Sequence, residues 1–145
     1  MIVAFRRISF SILVLGHSYA YSDDIQLVVD VVGVKPGAGY VVLSLFSSPE
    51  NYMTRPVADR AMKVKDADKV TFVLGDLAKG RYSISVYYDE NGNGELDTGL
   101  FGIPKELVGF SNNAKGLFGP PSFDDSSFDL KAPASMVIQL DKAKD

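Results

Sequence analysis

The feature that most constrains this sequence is a two-residue hydrophobic period that recurs in short runs and never lengthens into a helical one. Residues 81–88 show it most cleanly: Tyr82, Ile84, Val86 and Tyr88 alternate with Arg81, Ser83, Ser85 and Tyr87. Side chains of an extended chain point to opposite faces in turn, so this run predicts a strand with the first set inward and the second outward. Residues 25–33 behave alike, with Ile25, Leu27, Val29 and Val31 on one face, Gln26, Val28, Asp30 and Val32 on the other, and Gly33 at the end. A turn over 35–39 then leads to a strand over 40–46, expected to be the hairpin partner of the first. A lysine-guarded edge strand is expected over 60–65, with Met62 and Val64 opposite Lys63 and Lys65. Shorter strands follow at 70–74, 128–130 and 135–140.

No helical run interrupts these segments, which predicts an all-β, antiparallel β-sandwich of about seven strands. A small barrel competes, but the apolar residues keep to one dominant face of each strand, which favours two packed sheets. Residues 98–125 have no sustained period and are rich in Gly and Pro, yet they carry Phe101, Phe110, Phe118 and Phe123. Flexible linkers are poor in aromatics, so one long loop packed on the domain is expected, its phenylalanines serving as anchors. No internal repeat is apparent.

The chain has 145 residues, enough for one domain with its own core. Residues 1–20 are expected to be a secretory signal peptide: Arg6 and Arg7 precede an apolar run, and Ser18-Tyr19-Ala20 is a small-x-small cleavage site. The domain is then 21–145, with no transmembrane segment after cleavage and a periplasmic or extracellular destination. Without the leader, Lys+Arg falls from 15 to 13 against 18 acidic residues, taking the net charge from −3 to −5. An acidic domain repels phosphate backbones, which argues against nucleic acid as a partner. The one histidine, His17, lies in the leader, and there is no cysteine. The mature chain lacks the side chains that most readily act as base, nucleophile or zinc ligand near neutral pH.

The strand over 81–88 runs directly into a nine-residue stretch beginning at Asp89. Asp89, Asn91, Asn93 and Asp97 place side-chain oxygens at its first, third, fifth and ninth positions, and Gly94 stands at the sixth. This is the first part of a calcium loop: a sharp turn aims several oxygens, including the Glu95 carbonyl, at one hard cation. The twelfth position is Leu100, where such a loop ends in a bidentate Glu. A complete Ca²⁺ site therefore needs a carboxylate from elsewhere, with Glu106, Asp124 and Asp125 as candidates. Low ligand charge implies weak binding, with a Kd on the order of 10⁻⁴–10⁻³ M. The plain alternative is an Asn-Gly hairpin whose polar residues supply left-handed backbone.

Several motifs appear in a consistent order: Gly80-Arg81-Tyr82, the Asp89 to Asp97 stretch, Gly102-Ile103-Pro104 with Glu106, the run 109–113 and the run 119–125. In these the chain resembles an uncharacterised secreted bacterial family, domain-of-unknown-function family 2141. The resemblance implies a transthyretin-like or immunoglobulin-like sandwich and implies no activity. Three functional classes follow. The first is a non-catalytic exported module with a weak structural calcium site. The second is a ligand-binding module using 98–125 for a glycan or peptide, signalled by two or more of the loop phenylalanines exposed on one face. The third, a hydrolase built on Glu106, Asp124 and Asp125, is disfavoured by the missing His and Cys.

Overall fold

The computed structural model describes residues 24–143; the expected leader and its cleavage before Tyr21 lie outside them. Eight strands form: β1 (Ile25–Val32), β2 (Tyr40–Phe46), β3 (Ala58–Lys63), β4 (Lys69–Leu77), β5 (Gly80–Asp89), β6 (Val108–Phe110), β7 (Ser127–Leu130) and β8 (Ala134–Gln139). They make two sheets, β4-β1-β8 and β3-β2-β5-β6, with β7 also paired to β5. Every pairing is antiparallel except β1 with β8. The result is a β-sandwich, not a closed barrel.

The alternating faces meet between the sheets. Leu27, Val29 and Val31 of β1 and Phe72 of β4 pack against Val41, Leu43 and Leu45 of β2 and Ile84, Val86 and Tyr88 of β5, all essentially inaccessible. Each such side chain contributes about 1.5–3 kcal/mol by leaving water, the main favourable term holding the sheets together.

The expected hairpin between the first two strands does not form. β1 pairs with β4 and β8, whereas β2 pairs with β3 and β5, so the chain crosses between sheets over residues 33–39. Both strands have a buried face, and a crossover lets each offer it to the other across the core. The edge strand also lies two residues earlier than expected: Met62 is exposed and Val64, just past its end, is buried.

The expected loop 98–125 is partly regular. β6 and β7 share one edge of β5, with β7 pairing Gly80 to Ser83 and β6 pairing Ser85 to Tyr87. Ile84 faces the gap between them, and its N–H donates to Ser111 Oγ at 2.9 Å. Ser111 in turn donates to the Ser126 carbonyl, and Ser126 Oγ lies 2.7 Å from Ser83 Oγ. Ser83, expected outward, is therefore buried beneath the short helix α1 (Phe123–Ser126). β6 also lies against β8: a side chain at Gly109 would come within 2.8 Å of the Gln139 carbonyl, so this contact requires glycine.

Candidate binding cleft and polar loop

The outer face of β5 and β6 is the floor of a cleft of about 590 Å³. Ser85 and Tyr87, with their cross-strand partners Phe110 and Val108, form that floor. One wall is the end of the polar loop and the segment after it, bringing Leu96, Phe101 and Ile103; the other is residues 113–120, bringing Ala114, Phe118 and Pro120. Lys115, Asp141 and Lys142 supply most of the charge at its edge.

The first wall is a tight hairpin. Lys105 donates to the Asp97 carbonyl at 2.8 Å, Gly99 to the Ile103 carbonyl at 2.7 Å, and Thr98 bridges to Pro104. Its turn passes through Phe101 (φ 59°) and Gly102 (φ 72°). The second wall turns at Phe118 (φ 57°), and Gly116 admits the returning chain so closely that a Cβ there would run into the Gly119 carbonyl. Left-handed backbone at a bulky residue costs about 1–2 kcal/mol and marks a position held for a reason beyond local preference.

The expectation that the loop phenylalanines are anchors holds for one and fails for two. Phe123 is buried, stacked edge-on to Tyr52 at 5.8 Å between centroids, with Arg81 over its ring at 5.4 Å. Phe110 is half-buried in the floor. Phe101 is 98 % exposed and Phe118 90 %, and both line the one cleft. A short repeat missed in the sequence marks them: Gly99-Leu-Phe-Gly-Ile-Pro104 and Gly116-Leu-Phe-Gly-Pro-Pro121 share a Gly-Leu-Phe-Gly-x-Pro pattern. Aligning the run 98–125 against itself would have found it.

The polar loop stands at the base of the first wall. Asp89 ends β5 and is 2 % exposed. Its Oδ1 accepts the N–H groups of Gly92 (2.7 Å) and Asn93 (3.1 Å), and its Oδ2 that of Gly94 (2.8 Å). Asn91 and Asn93 each donate a side-chain amide to the Asp97 carboxylate, at 2.6 and 3.0 Å. Glu106 closes the loop, accepting from the N–H of Glu90 (3.2 Å) and of Asp97 (3.1 Å). Burial pushes the Glu106 carboxyl above the ordinary range against its two N–H donors, and the negative charges of Asp89 and Asp97 push it further.

The fold thus brings Asp89, Asn91, Asn93, Asp97 and Glu106 together, while the Glu95 side chain is exposed and its main chain stays in the turn. Asp124 and Asp125 are not brought there. Asp124 pairs with Arg81 at 2.9 Å, and Asp125 bonds to Ser122, the N-cap of α1. Arg81 and Asp89 are eight strand residues apart, roughly 26 Å. Among the described residues no three His, Cys, Asp or Glu side chains converge as a metal cage. A cation here would need the Asp89, Asp97 and Glu106 carboxylates to turn from their N–H donors, and asparagine and main-chain oxygens to join them. Such an all-oxygen set suits only a hard ion such as Ca²⁺. Among the described residues no helix is long and apolar enough to cross a membrane.

No curated protein and no solved structure matches the chain. Residues 29–138 match the family described as an uncharacterized protein conserved in bacteria, domain-of-unknown-function family 2141. That match spans both sheets, both walls of the cleft and the polar loop, and the chain belongs to this family.

Proposed function

We propose that this chain is an exported, non-catalytic binding module that takes an apolar ligand in the cleft on the outer face of β5 and β6. One observation carries the reading: Phe101 and Phe118, both in left-handed backbone and both solvent-exposed, stand on opposite walls of a single apolar cleft. Ligand sites are concave, mostly apolar and furnished with a few polar groups, and the apolar lining of this cleft suits an apolar small molecule or an acyl chain better than a glycan. Export rests on the leader sequence. The absence of catalysis is supported by the roles its polar groups already hold. Ser111 and Ser126 are engaged with the main chain and each other. Glu106 stands at the other end of β5 from Asp124 and Asp125, far beyond the roughly 5–10 Å that separates paired glycosidase carboxylates.

The polar loop adds a second element, weak structural binding of Ca²⁺ at Asp89, Asn91, Asn93, Asp97 and the Glu95 carbonyl, completed by Glu106. Its support is geometric: Asp89 and Asp97 hold the loop from within, and Glu106 closes it where it meets the first wall. After burial, the two aspartate charges also raise the Glu106 carboxyl. A calcium ion there would stiffen the hairpin that carries Phe101.

The test of the cleft is titration with 1-anilinonaphthalene-8-sulfonate, an apolar fluorophore. One saturable site is expected in wild type, abolished when Ser85→Tyr fills the floor. Absence of saturation, or an unchanged affinity in Ser85→Tyr, would remove the cleft as the binding site.

A further inference from the structure

The two hairpin tips carry more than the walls of a cleft. Leu100 and Phe101 at one tip, and Leu117 and Phe118 at the other, are 83, 98, 84 and 90 % exposed. Phe101 and Phe118 line the cleft, and each has an exposed leucine as its immediate chain neighbour outside the lining. Each tip has a lysine at its base: Lys115 immediately precedes Gly116, and the Lys105 side chain runs beside Gly99, within 3.5 Å of where a Cβ would stand. Lys142 adds a third cation at the cleft edge. Lys115 is ion-paired to Asp141, while Lys105 and Lys142 are exposed.

We propose that these two Leu-Phe tips seat the domain on a membrane surface bearing anionic phospholipid headgroups, with the lysines at headgroup depth and the cleft opening onto the lipid. This rests on the reading of that face as a binding surface and names its partner. Short apolar protrusions backed by cations fit an interface that is oily a few ångströms down and negatively charged above. Aqueous exposure of four such side chains opposes solubility, and insertion removes that cost without any rearrangement of the sandwich. The domain as a whole is acidic and is repelled by an anionic surface at long range. Attraction therefore rests on the local charge of the tips, within a screening length of the lysines. Asp97 lies three extended residues behind Leu100, about 10 Å, which is near the screening length at physiological salt.

The test is sedimentation of the exported protein with vesicles of phosphatidylglycerol and phosphatidylcholine (1:3) and of phosphatidylcholine alone, using variants with the same N-terminus as wild type. Wild type should partition to the mixed vesicles, more strongly at low salt. L100S/F101S and L117S/F118S should each weaken partition about tenfold or more, the change expected when one large apolar side chain no longer leaves water. Lys105→Gln/Lys142→Gln should weaken it on mixed vesicles only. Each tip is solvent-exposed, and an unchanged unfolding midpoint would show that the variants remain folded. No partition of wild type, or equal partition of a variant altered at both tips, overturns the proposal. Tip-dependent dimerisation in solution with no vesicle binding also overturns it, in favour of self-association. Fluorophore titration of the same preparations separates the two readings: saturable binding without vesicle partition removes the membrane and leaves the cleft, and loss of both removes both.

Discussion

At the scale of single residues, Ser111 does work that the alternation of the strands hides. Ile84 sits where β7 has ended and β6 has not begun, and its amide has no strand partner on that edge except Ser111 Oγ. Removing the hydroxyl leaves a buried N–H unsatisfied, so Ser111→Ala should cost about 1–3 kcal/mol in urea unfolding. Ile84→Ala, which empties space in the core, should cost about 2–5 kcal/mol. Ser85→Ala, on the outer face, should stay within about 0.5 kcal/mol. Equal losses for Ile84→Ala and Ser85→Ala would mean that the register of β5 is wrong. The inward set Tyr82, Ile84, Val86 and Tyr88 was legible because period two depends only on neighbours in sequence. The burial of Ser83 was not, because what covers it is α1, some forty residues away.

At the scale of elements, the first hairpin opposes its own turn. Its two central positions, Phe101 and Gly102, both have positive φ, the conformation that favours Asn-Gly. Phe101→Asn restores that pair and should stabilise the domain by about 1 kcal/mol, since Asn tolerates left-handed backbone. The same change removes an aromatic wall and should weaken fluorophore binding. A raised unfolding midpoint with lost binding is the signature of a residue kept for function. A lowered midpoint would show instead that Phe101 supports the fold. These tips were half legible: the aromatics in a Gly-rich run were visible, and their direction was not. An aromatic ring in such a run anchors or protrudes according to the backbone angle at its own residue, which composition does not carry. β6 escaped notice because three residues centred on Gly109 show no period, and besides β5 it is held by a bridge from Val108 to Asp141, near the far end of the chain.

At the scale of the whole molecule, the sandwich was legible and the assignment of strands to sheets was not. A seven-residue link such as 33–39 can close a hairpin or cross between sheets, and only the packing of two apolar faces decides. The polar loop belongs to this scale because it fastens the end of β5 to the wall of the cleft, so an ion there should change the stability of the domain. If Ca²⁺ binds only the folded chain, a concentration ten times Kd adds about 1.4 kcal/mol, or a few degrees in Tm. The dependence on pH has a definite sign. The folded Glu106 carboxyl is raised, so the native state holds its proton longer than the unfolded chain does. Its contribution to stability therefore falls as pH climbs from the unfolded value of about 4.3 through the folded one. Calcium requires the ionised form, so its stabilising effect should grow as pH rises through that raised value and shrink as pH drops through it. Asp89→Ala is a poor probe, because the Asp89 carboxylate accepts three main-chain N–H groups and its loss is costly with or without the ion. Glu106→Gln is better placed: it should leave a folded sandwich whose Tm no longer responds to calcium. Mg²⁺ should substitute poorly, since it demands a tighter octahedron and releases water reluctantly. Melting curves of metal-free wild type and Glu106→Gln, in calcium, magnesium and chelator at pH 7 and pH 5, decide the matter. Wild-type curves that superimpose at pH 7 with and without calcium would leave Asp89 as a cap on a hairpin and nothing more.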